Sequence, residues 1–234
     1  MKIFNLIVAT ITISMLACQI VSAQNATQQP RAKPMRTITE DEFGILRYKA
    51  HQKLESQPFR TITVEEVFSN SETVPVETTK TVYESAYPLG SRIVTETKTS
   101  EGISRTGFMM IKDDRYRMDT NGVWVLDPEA GYGSAVGSGS GVKPIPQVYT
   151  FIGESILEGK PVFIYEVSGK RASYFRKRFT ETDEQTRYWF SRNGMLLRVE
   201  GVENYPSLNI RVKKLEINQY SANIKIQVPN VNGK

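Results

Sequence analysis

Beyond its first quarter the chain is a succession of short runs rich in Thr, Val, Ile, Tyr and Phe, separated by turn residues. Such runs form strands, and their number favours one antiparallel sheet built from hairpins. The clearest hairpin lies at residues 188–201, YWFSRNGMLLRVEG, where Asn193-Gly194 predicts a tight turn that matches strand twist. Both arms carry apolar residues of both parities, so both faces of the sheet need cover.

One helix precedes these strands. Thr39 and Glu42 have the spacing of a capping box, which predicts a helix start. The apolar stripe that follows consists of Phe43, Leu46, Ala50 and Leu54. Pro58 restricts Gln57 to extended backbone, so we expect the helix to end there.

Turn residues divide the remaining chain into strands. Further turns are predicted at 113–114, 121–122 and 158–160, from Asp-Asp, Asn-Gly and Glu-Gly-Lys. The Thr-rich run at 92–99 is mostly polar and suits an exposed edge region. The apolar parity changes at Lys213-Lys214, which predicts a bulge there.

The N-terminus has the layout of a secretory signal, with a positive start, an apolar centre and small residues. We expect cleavage after Ala23 and a soluble periplasmic protein. The alternative is a membrane-anchored lipoprotein acylated on Cys18, the only cysteine. After cleavage at Ala23 the chain has no cysteine, so its stability has to come from packing.

The expected organisation is a signal peptide at 1–23, a flexible polar leader at 24–38, one domain at 39–229 and a tail at 230–234. A Gly-rich segment at 131–141, GYGSAVGSGSG, predicts a mobile loop inside the domain.

Composition excludes some functions. The 234 residues are 39% hydrophobic and 24% charged, which is ordinary for a globular protein, and the net charge of +5 is too small to indicate nucleic-acid binding. The basic stretch at 170–178 contains Arg176 and Arg178. It is interpreted either as a solvated strand face or as a contact for an anionic head group.

Catalytic and metal motifs are missing. The single histidine, His51, has no adjacent nucleophile or orienting partner, so we interpret it as a surface residue. Ser140 and Lys143 match S-x-x-K inside the Gly-rich segment, which we take as a chance match. We therefore expect no enzymatic activity, no cofactor and no metal.

The apolar second face has two interpretations. It is covered by loops and a second short helix, giving a plain core. Alternatively, a curved sheet wraps over a hydrophobic hollow with the helix across it as a lid, and an acyl chain fills the hollow. Burial of ~0.8 kcal/mol per CH₂ would hold such a chain.

Several segments, in order, resemble the LolA-type lipoprotein-carrier superfamily and the related LppX-like lipid-binding lipoproteins. In TGFMMIKDDRYRMDTNGVWVLDP the matching positions are Gly107, Lys112, Asn121-Gly122, Trp124 and Pro128. FIGESILEGKPVFIYEV, YWFSRNGMLLRVEG and NIKIQVP resemble later segments. The resemblance runs from about residue 39 to residue 229. Asp113 and Asp114 depart from the family pattern, in which Arg and Pro follow the lysine.

The resemblance implies a mainly β fold with a few helices: an incomplete antiparallel β-barrel, or curved half-barrel sheet, covered by one or more helices. It also implies a non-enzymatic monomer without cofactor that binds lipid or lipoprotein acyl chains and passes them between membrane-bound partners towards the outer membrane. The alternative is an exported sensor or protein-interaction module without lipid cargo, comparable to RseB-like regulators. Residues predicted to line the ligand cavity are Phe108, Met110, Trp124, Phe151, Tyr165 and Trp189. Lys112, Arg176 and Arg178 are predicted to contact the lid or a head group.

Overall fold

A computed structural model describes residues 35–69, 72–86, 88–129, 146–176, 178–220 and 223–229. The expected signal peptide with Cys18, most of the expected leader, the Gly-rich segment with Ser140 and Lys143, and the tail at 230–234 lie outside these residues.

The described residues form one α-helix, one short 3₁₀ turn and twelve strands. The helix α1 is Glu40–Glu55 and the 3₁₀ turn is Pro206–Leu208. The strands are β1 (Arg36–Ile38), β2 (Phe59–Ser69), β3 (Glu77–Ser85), β4 (Gly90–Thr99), β5 (Gly102–Ile111), β6 (Asp114–Met118), β7 (Trp124–Leu126), β8 (Gln147–Leu157), β9 (Lys160–Phe175), β10 (Arg178–Ser191), β11 (Leu196–Tyr205) and β12 (Ile210–Tyr220).

All twelve strands belong to one antiparallel sheet. Their order is β1-β8-β9-β10-β11-β12-β2-β3-β4-β5-β6-β7, with β1 and β7 at its two free edges. Two meanders, β2–β7 and β8–β12, therefore meet where β12 pairs with β2. This open sheet with a helix confirms the predicted mainly β half-barrel.

The helix forms where the sequence predicts it. The Thr39 hydroxyl accepts a hydrogen bond from the Glu42 amide at 3.1 Å, and the Glu42 carboxylate accepts one from the Thr39 amide at 2.9 Å. This reciprocal pair is the capping box. Phe43 and Ala50, from the predicted stripe, are buried against the sheet with Val167, Phe190 and Val199.

The predicted hairpin turns lie at or within one residue of the expected positions. Gly159 and Gly194 have φ values of 77° and 79°, which glycine adopts without steric cost. The turn expected at 113–114 consists instead of Lys112 and Asp113, and Asp114 begins β6.

The bulge predicted at Lys213-Lys214 is wrong. β12 pairs in continuous register with both β11 and β2 through these residues. The change of parity has another cause: Val212 is buried on one face of the sheet, whereas Leu215 and Ile217 are half-buried on the other. Register shifts lie elsewhere, at Trp189/Phe190 and Phe151/Gly153.

Two predictions of exposure differ from the structure. β4 is not an edge strand, because it pairs with β3 and β5. Its threonines face those of β3, with Thr81 and Thr95 hydroxyls 3.1 Å apart. The last three residues of the expected leader form β1, where Ile38 is buried beneath α1.

Candidate functional site

The register divides the side chains of the sheet into two faces. Antiparallel partners lie on the same face, and alternate residues lie on opposite faces. The face that α1 covers, here the inner face, includes Val167, Tyr188 and Val199. The opposite, outer face includes Trp189 and its partner Arg198.

The residues predicted to line a ligand cavity fall on both faces. Phe151 and Tyr165 lie on the inner face with ring centroids 5.1 Å apart, and Tyr165 lies 6.3 Å from the ring of Phe43 on α1. Phe108 and Met110 share that face, but lie on β5 near the other end of the sheet. The six residues are thus not brought together at one place.

Both tryptophans lie on the outer face. A Cβ atom at Gly107 would approach Cη2 of Trp124 to 2.8 Å, so the Trp124 ring lies directly on this glycine. The guanidinium of Arg198 lies 5.7 Å from the ring centroid of Trp189. On the outer face of the hairpin at 188–201, the Trp189 ring is therefore covered by the Arg198 side chain. This ring lies on the face opposite α1.

The three predicted basic contact residues lie in different surroundings. Lys112 occupies the β5–β6 turn with a φ of 54°. Arg178 begins β10 and is exposed. Arg176, at the β9–β10 turn, forms an ion pair with Glu77 of β3. Since three strands separate β10 from β3 in the sheet, this contact crosses the concave inner face.

A first cavity of about 520 Å³ lies between α1 and strands β11 and β12. We call it the helix cavity. Its apolar wall includes Ala50, Leu54, Leu196 and Tyr220. The Tyr220 hydroxyl donates a hydrogen bond to the Leu196 carbonyl at 2.9 Å, and burial raises the pKa of Tyr220 to about 12.

Apolar side chains continue from this cavity across the inner face. Phe59 is the β2 partner of Tyr220, and its ring centroid lies 5.4 Å from that of Tyr83. Tyr83 is paired with Ile93, and Ile93 with Phe108. We call the row of Phe59, Tyr83, Ile93 and Phe108 the apolar track. Apart from Phe59, which is buried, its members are half-buried.

A second cavity, of about 490 Å³, lies at the centre of the inner face. We call it the charged hollow, because four basic and four acidic side chains line it: Arg47, Arg171, Arg176, Lys214, Glu65, Glu77, Glu184 and Glu203. The sequence pattern does not predict this hollow. Along each strand, its charged residues alternate with residues of the outer face. Parity within one strand therefore does not show that charged residues of different strands meet in one hollow.

Most of these charges are paired with each other. Arg171 bridges two carboxylates, with Nε 3.1 Å from Glu184 and Nη2 2.8 Å from Glu203. Arg176 pairs with Glu77, and the Tyr205 hydroxyl donates to Glu203. Three of the four carboxylates thus have partners within the protein, although Arg171 shares its single positive charge between two of them.

Three charged groups of the hollow remain outside these pairs. Within the described part of the chain, Arg47, Lys214 and Glu65 form no ion pair within 4.0 Å. The Arg47 guanidinium lies 5.7 Å from the ring centroid of Tyr188, and Lys214 is the cross-strand partner of Glu65. Burial raises the pKa of Glu65 above its usual range, although the charge of Lys214 opposes the rise.

The described residues contain neither a metal-binding cluster nor a helix that could span a membrane. Among the described residues, no group of three or more His, Cys, Asp and Glu side chains is placed to hold a metal ion. His51 lies on α1, with Nε2 3.2 Å from the carboxylate of Glu55. No helix of the described segments is both long and apolar enough to cross a membrane.

Comparison with known proteins finds similarity in structure only. No family model and no curated protein matches the sequence. LprF from Mycobacterium bovis is similar over 85% of this chain and 100% of its own, with 15% identity and a TM-score of 0.45. A putative outer membrane lipoprotein-sorting protein domain from Vibrio parahaemolyticus is similar over 76% of this chain and 93% of its own, with 9% identity and a TM-score of 0.28.

A DUF1329 family protein from Desulfovibrio piger is similar over 76% of this chain and 93% of its own, with 8% identity and a TM-score of 0.29. At such identities and TM-scores the likeness assigns no role to any residue of this chain.

Proposed function

We propose that this protein is a non-enzymatic, exported binding protein that shields an acyl chain of a lipid or lipoprotein on the inner face of its sheet. The observation that carries the proposal is the apolar track. It begins at Phe59, beside Tyr220 in the wall of the helix cavity, and continues over β3, β4 and β5.

Energetics favour such a chain as the occupant. Each buried CH₂ contributes ~0.8 kcal/mol, so several methylenes along the track give useful affinity without a charged contact. Half-buried side chains such as Ile93 and Phe108 would lose their remaining contact with water when a chain covers them. Delivery towards the outer membrane, through membrane-bound donor and acceptor proteins, is the role that the motif resemblance implies.

The arrangement of polar groups supports an amphiphile rather than a purely apolar guest. Arg47 lines both the helix cavity and the charged hollow, and β12 runs from one to the other. Along the inner face of β12, Lys214 lines the hollow and Tyr220 lines the helix cavity. A ligand lying along this strand would place a polar head in the hollow and a chain on the track.

A second candidate function is an exported interaction or sensor module without cargo. The contact between Arg176 and Glu77 favours it, because it closes one side of the hollow with the protein's own side chains. A closed hollow that never accepts lipid would suit this function.

The test is native mass spectrometry of the protein purified after export, before and after organic extraction, followed by addition of palmitate and lysophosphatidylcholine. We expect an extractable lipid mass, or binding of the added amphiphiles. The same spectrum reports whether the mature chain begins after Ala23 or at Cys18. A protein that carries no lipid and binds neither amphiphile would contradict the proposal.

Met110→Arg tests the inner face directly. Met110 is half-buried on the inner face of β5, so a charge there should abolish retention while leaving the sheet folded. Ile103→Arg is the matched control, because Ile103 lies on the same strand with 67% of its surface exposed, on the outer face. Equal retention by both variants would remove Met110 from the binding surface.

A further inference from the structure

The charged hollow contains three charged side chains that form no ion pair within the described part of the chain. They are two cations, Arg47 and Lys214, and one carboxylate, Glu65. The other charged groups of the hollow are held in ion pairs with one another. Those pairs contain three carboxylates and two guanidiniums, so they carry one net negative charge. A ligand that enters the hollow without breaking them meets, in addition, two positive groups and one negative group.

Position keeps the opposite charges close together. Lys214 and Glu65 are direct partners on β12 and β2, so their side chains leave the inner face side by side. Arg47 reaches the same hollow from α1, and its guanidinium is placed against the Tyr188 ring. Helix and sheet thus supply one cation each, and the sheet supplies the carboxylate.

Glu65 is partly buried and forms no ion pair within 4.0 Å, and the charge of its cross-strand neighbour Lys214 does not offset the cost of desolvation. A buried carboxylate needs a cation or hydrogen-bond donors, because its charge is poorly solvated there. A cation with N–H donors would satisfy Glu65, and an anion with several acceptor oxygens would satisfy Arg47 and Lys214. One ligand group that contains both is a phosphate ester linked by two carbons to a primary ammonium.

We propose that the charged hollow binds a phosphoethanolamine head group, with the phosphate between Arg47 and Lys214 and the ammonium at Glu65. This inference rests on the proposed function, since the attached acyl chains would occupy the helix cavity and the apolar track. A phosphoglycerol head group would satisfy the two cations and leave Glu65 without a partner. A choline head group has no N–H to donate to the carboxylate.

The first measurement is calorimetric titration of the full mature chain with two lipids that have equal chains, dihexanoyl phosphatidylethanolamine and dihexanoyl phosphatidylglycerol. We expect the ethanolamine lipid to bind about tenfold more tightly, the ratio that one additional charge-assisted contact provides. Equal binding, or tighter binding of the glycerol lipid, overturns the inference and leaves the proposed function standing. Failure of both lipids to bind contradicts the proposed function as well.

Variants assign the contacts. Glu65→Gln should remove the preference between the two lipids by weakening only the ethanolamine lipid. Lys214→Gln should weaken both lipids, because both contain the phosphate. The matched controls are Glu66→Gln and Lys213→Gln. Each changes the residue adjacent to the tested one, which lies on the outer face, and should alter neither affinity. Equal effects of Glu65→Gln and Glu66→Gln would overturn the assignment.

A third ligand tests whether the head group has to be part of a lipid. Glycerophosphoethanolamine has the same head group without acyl chains, so it should bind at least tenfold more weakly than the dihexanoyl lipid, as loss of about 1.4 kcal/mol already gives that factor. Binding of equal strength would overturn the lipid as the source of the head group.

Discussion

At the scale of single residues, the sequence gives no sign of an ion triad on the outer face, in which Arg60 and Arg92 flank the buried Glu84. The side chain of Glu84 is 4% exposed, with Oε1 2.7 Å from Nε of Arg60 and Oε2 3.0 Å from Nε of Arg92. Burial alone raises the pKa of Glu84, but the hydrogen bonds and charges of Arg92 and Arg60 outweigh it, so the pKa lies below its usual value.

We expect Glu84→Gln to lower the free energy of unfolding at pH 7 by about 1–3 kcal/mol, because the two arginines lose a charged acceptor. A lowered folded-state pKa means that the carboxylate stabilises the fold above its unfolded pKa, near 4.5, and that this stability is lost as the pH falls below that value. Urea unfolding at pH 7 and pH 3 measures the difference between wild type and variant, which should shrink at pH 3. Exposed Glu96 of β4 provides the control substitution Glu96→Gln, and equal losses at pH 7 would contradict the role of the triad.

At the scale of elements, a single aromatic side chain anchors α1 to the sheet. Phe43 is buried, and its ring centroid lies 5.0 Å from that of Tyr188 and 5.4 Å from that of Tyr149. Tyr188 comes from β10 and Tyr149 from β8, and the ring of Tyr165 on β9 lies 6.3 Å away, so one residue anchors the helix to three strands. The Lys53 ammonium also donates to the Asn193 carbonyl, which joins the end of the helix to the β10–β11 turn.

Phe43→Ala should therefore cost about 3–5 kcal/mol of the free energy of unfolding, as for other large aromatic side chains removed from a core. Ile45→Ala, two residues away on the exposed side of the same helix, should cost less than about 1 kcal/mol, since Ile45 is 54% exposed. Chemical denaturation of both variants gives the comparison. Similar losses would mean that α1 is not anchored through Phe43.

At the scale of the whole molecule, the sheet curves enough for the β9–β10 turn to reach β3. Phe175 packs with Tyr205 at a centroid distance of 5.0 Å, near Val67 and Val212, and Arg176 pairs with Glu77 beyond them. This turn, through Arg176, and α1, through Arg47, both line the charged hollow.

Arg176→Gln should leave the free energy of unfolding within about 1 kcal/mol of wild type, because exposed ion pairs contribute little. It should nevertheless speed amide hydrogen exchange in the β9–β10 turn, since the turn loses its contact with β3. Raising the ionic strength should have the same effect on the wild-type protein. Arg178→Gln, a nearby exposed arginine, is the control, and equal exchange rates in the two variants would show that the pair with Glu77 does not hold the turn.

Interactions between near neighbours were predictable from the sequence. The capping box of Thr39 and Glu42 and the tight turn at Asn193-Gly194 involve residues at most three apart, so the residue types specify the geometry. Alternation likewise predicts strands, but only the register of the β8–β9 hairpin shows that Phe151 and Tyr165 share a face. The amount of strand and the single long helix follow from these local rules, whereas the half-barrel class came from the motif resemblance.

The site depended on the tertiary structure. Parity separates the two faces of a strand but does not say which face a distant helix covers, so Trp124 and Trp189 were predicted for a cavity and lie on the outer face. Pairing of β12 with β2 joins residues far apart in the chain, and only this pairing sets Lys214 beside Glu65. The sequence by itself determined an antiparallel sheet built from hairpins and a capped helix, because those features arise from contacts between neighbours. Only the folded chain decided that charges converge at its centre, because that depends on the order of strands and the direction in which the sheet curves.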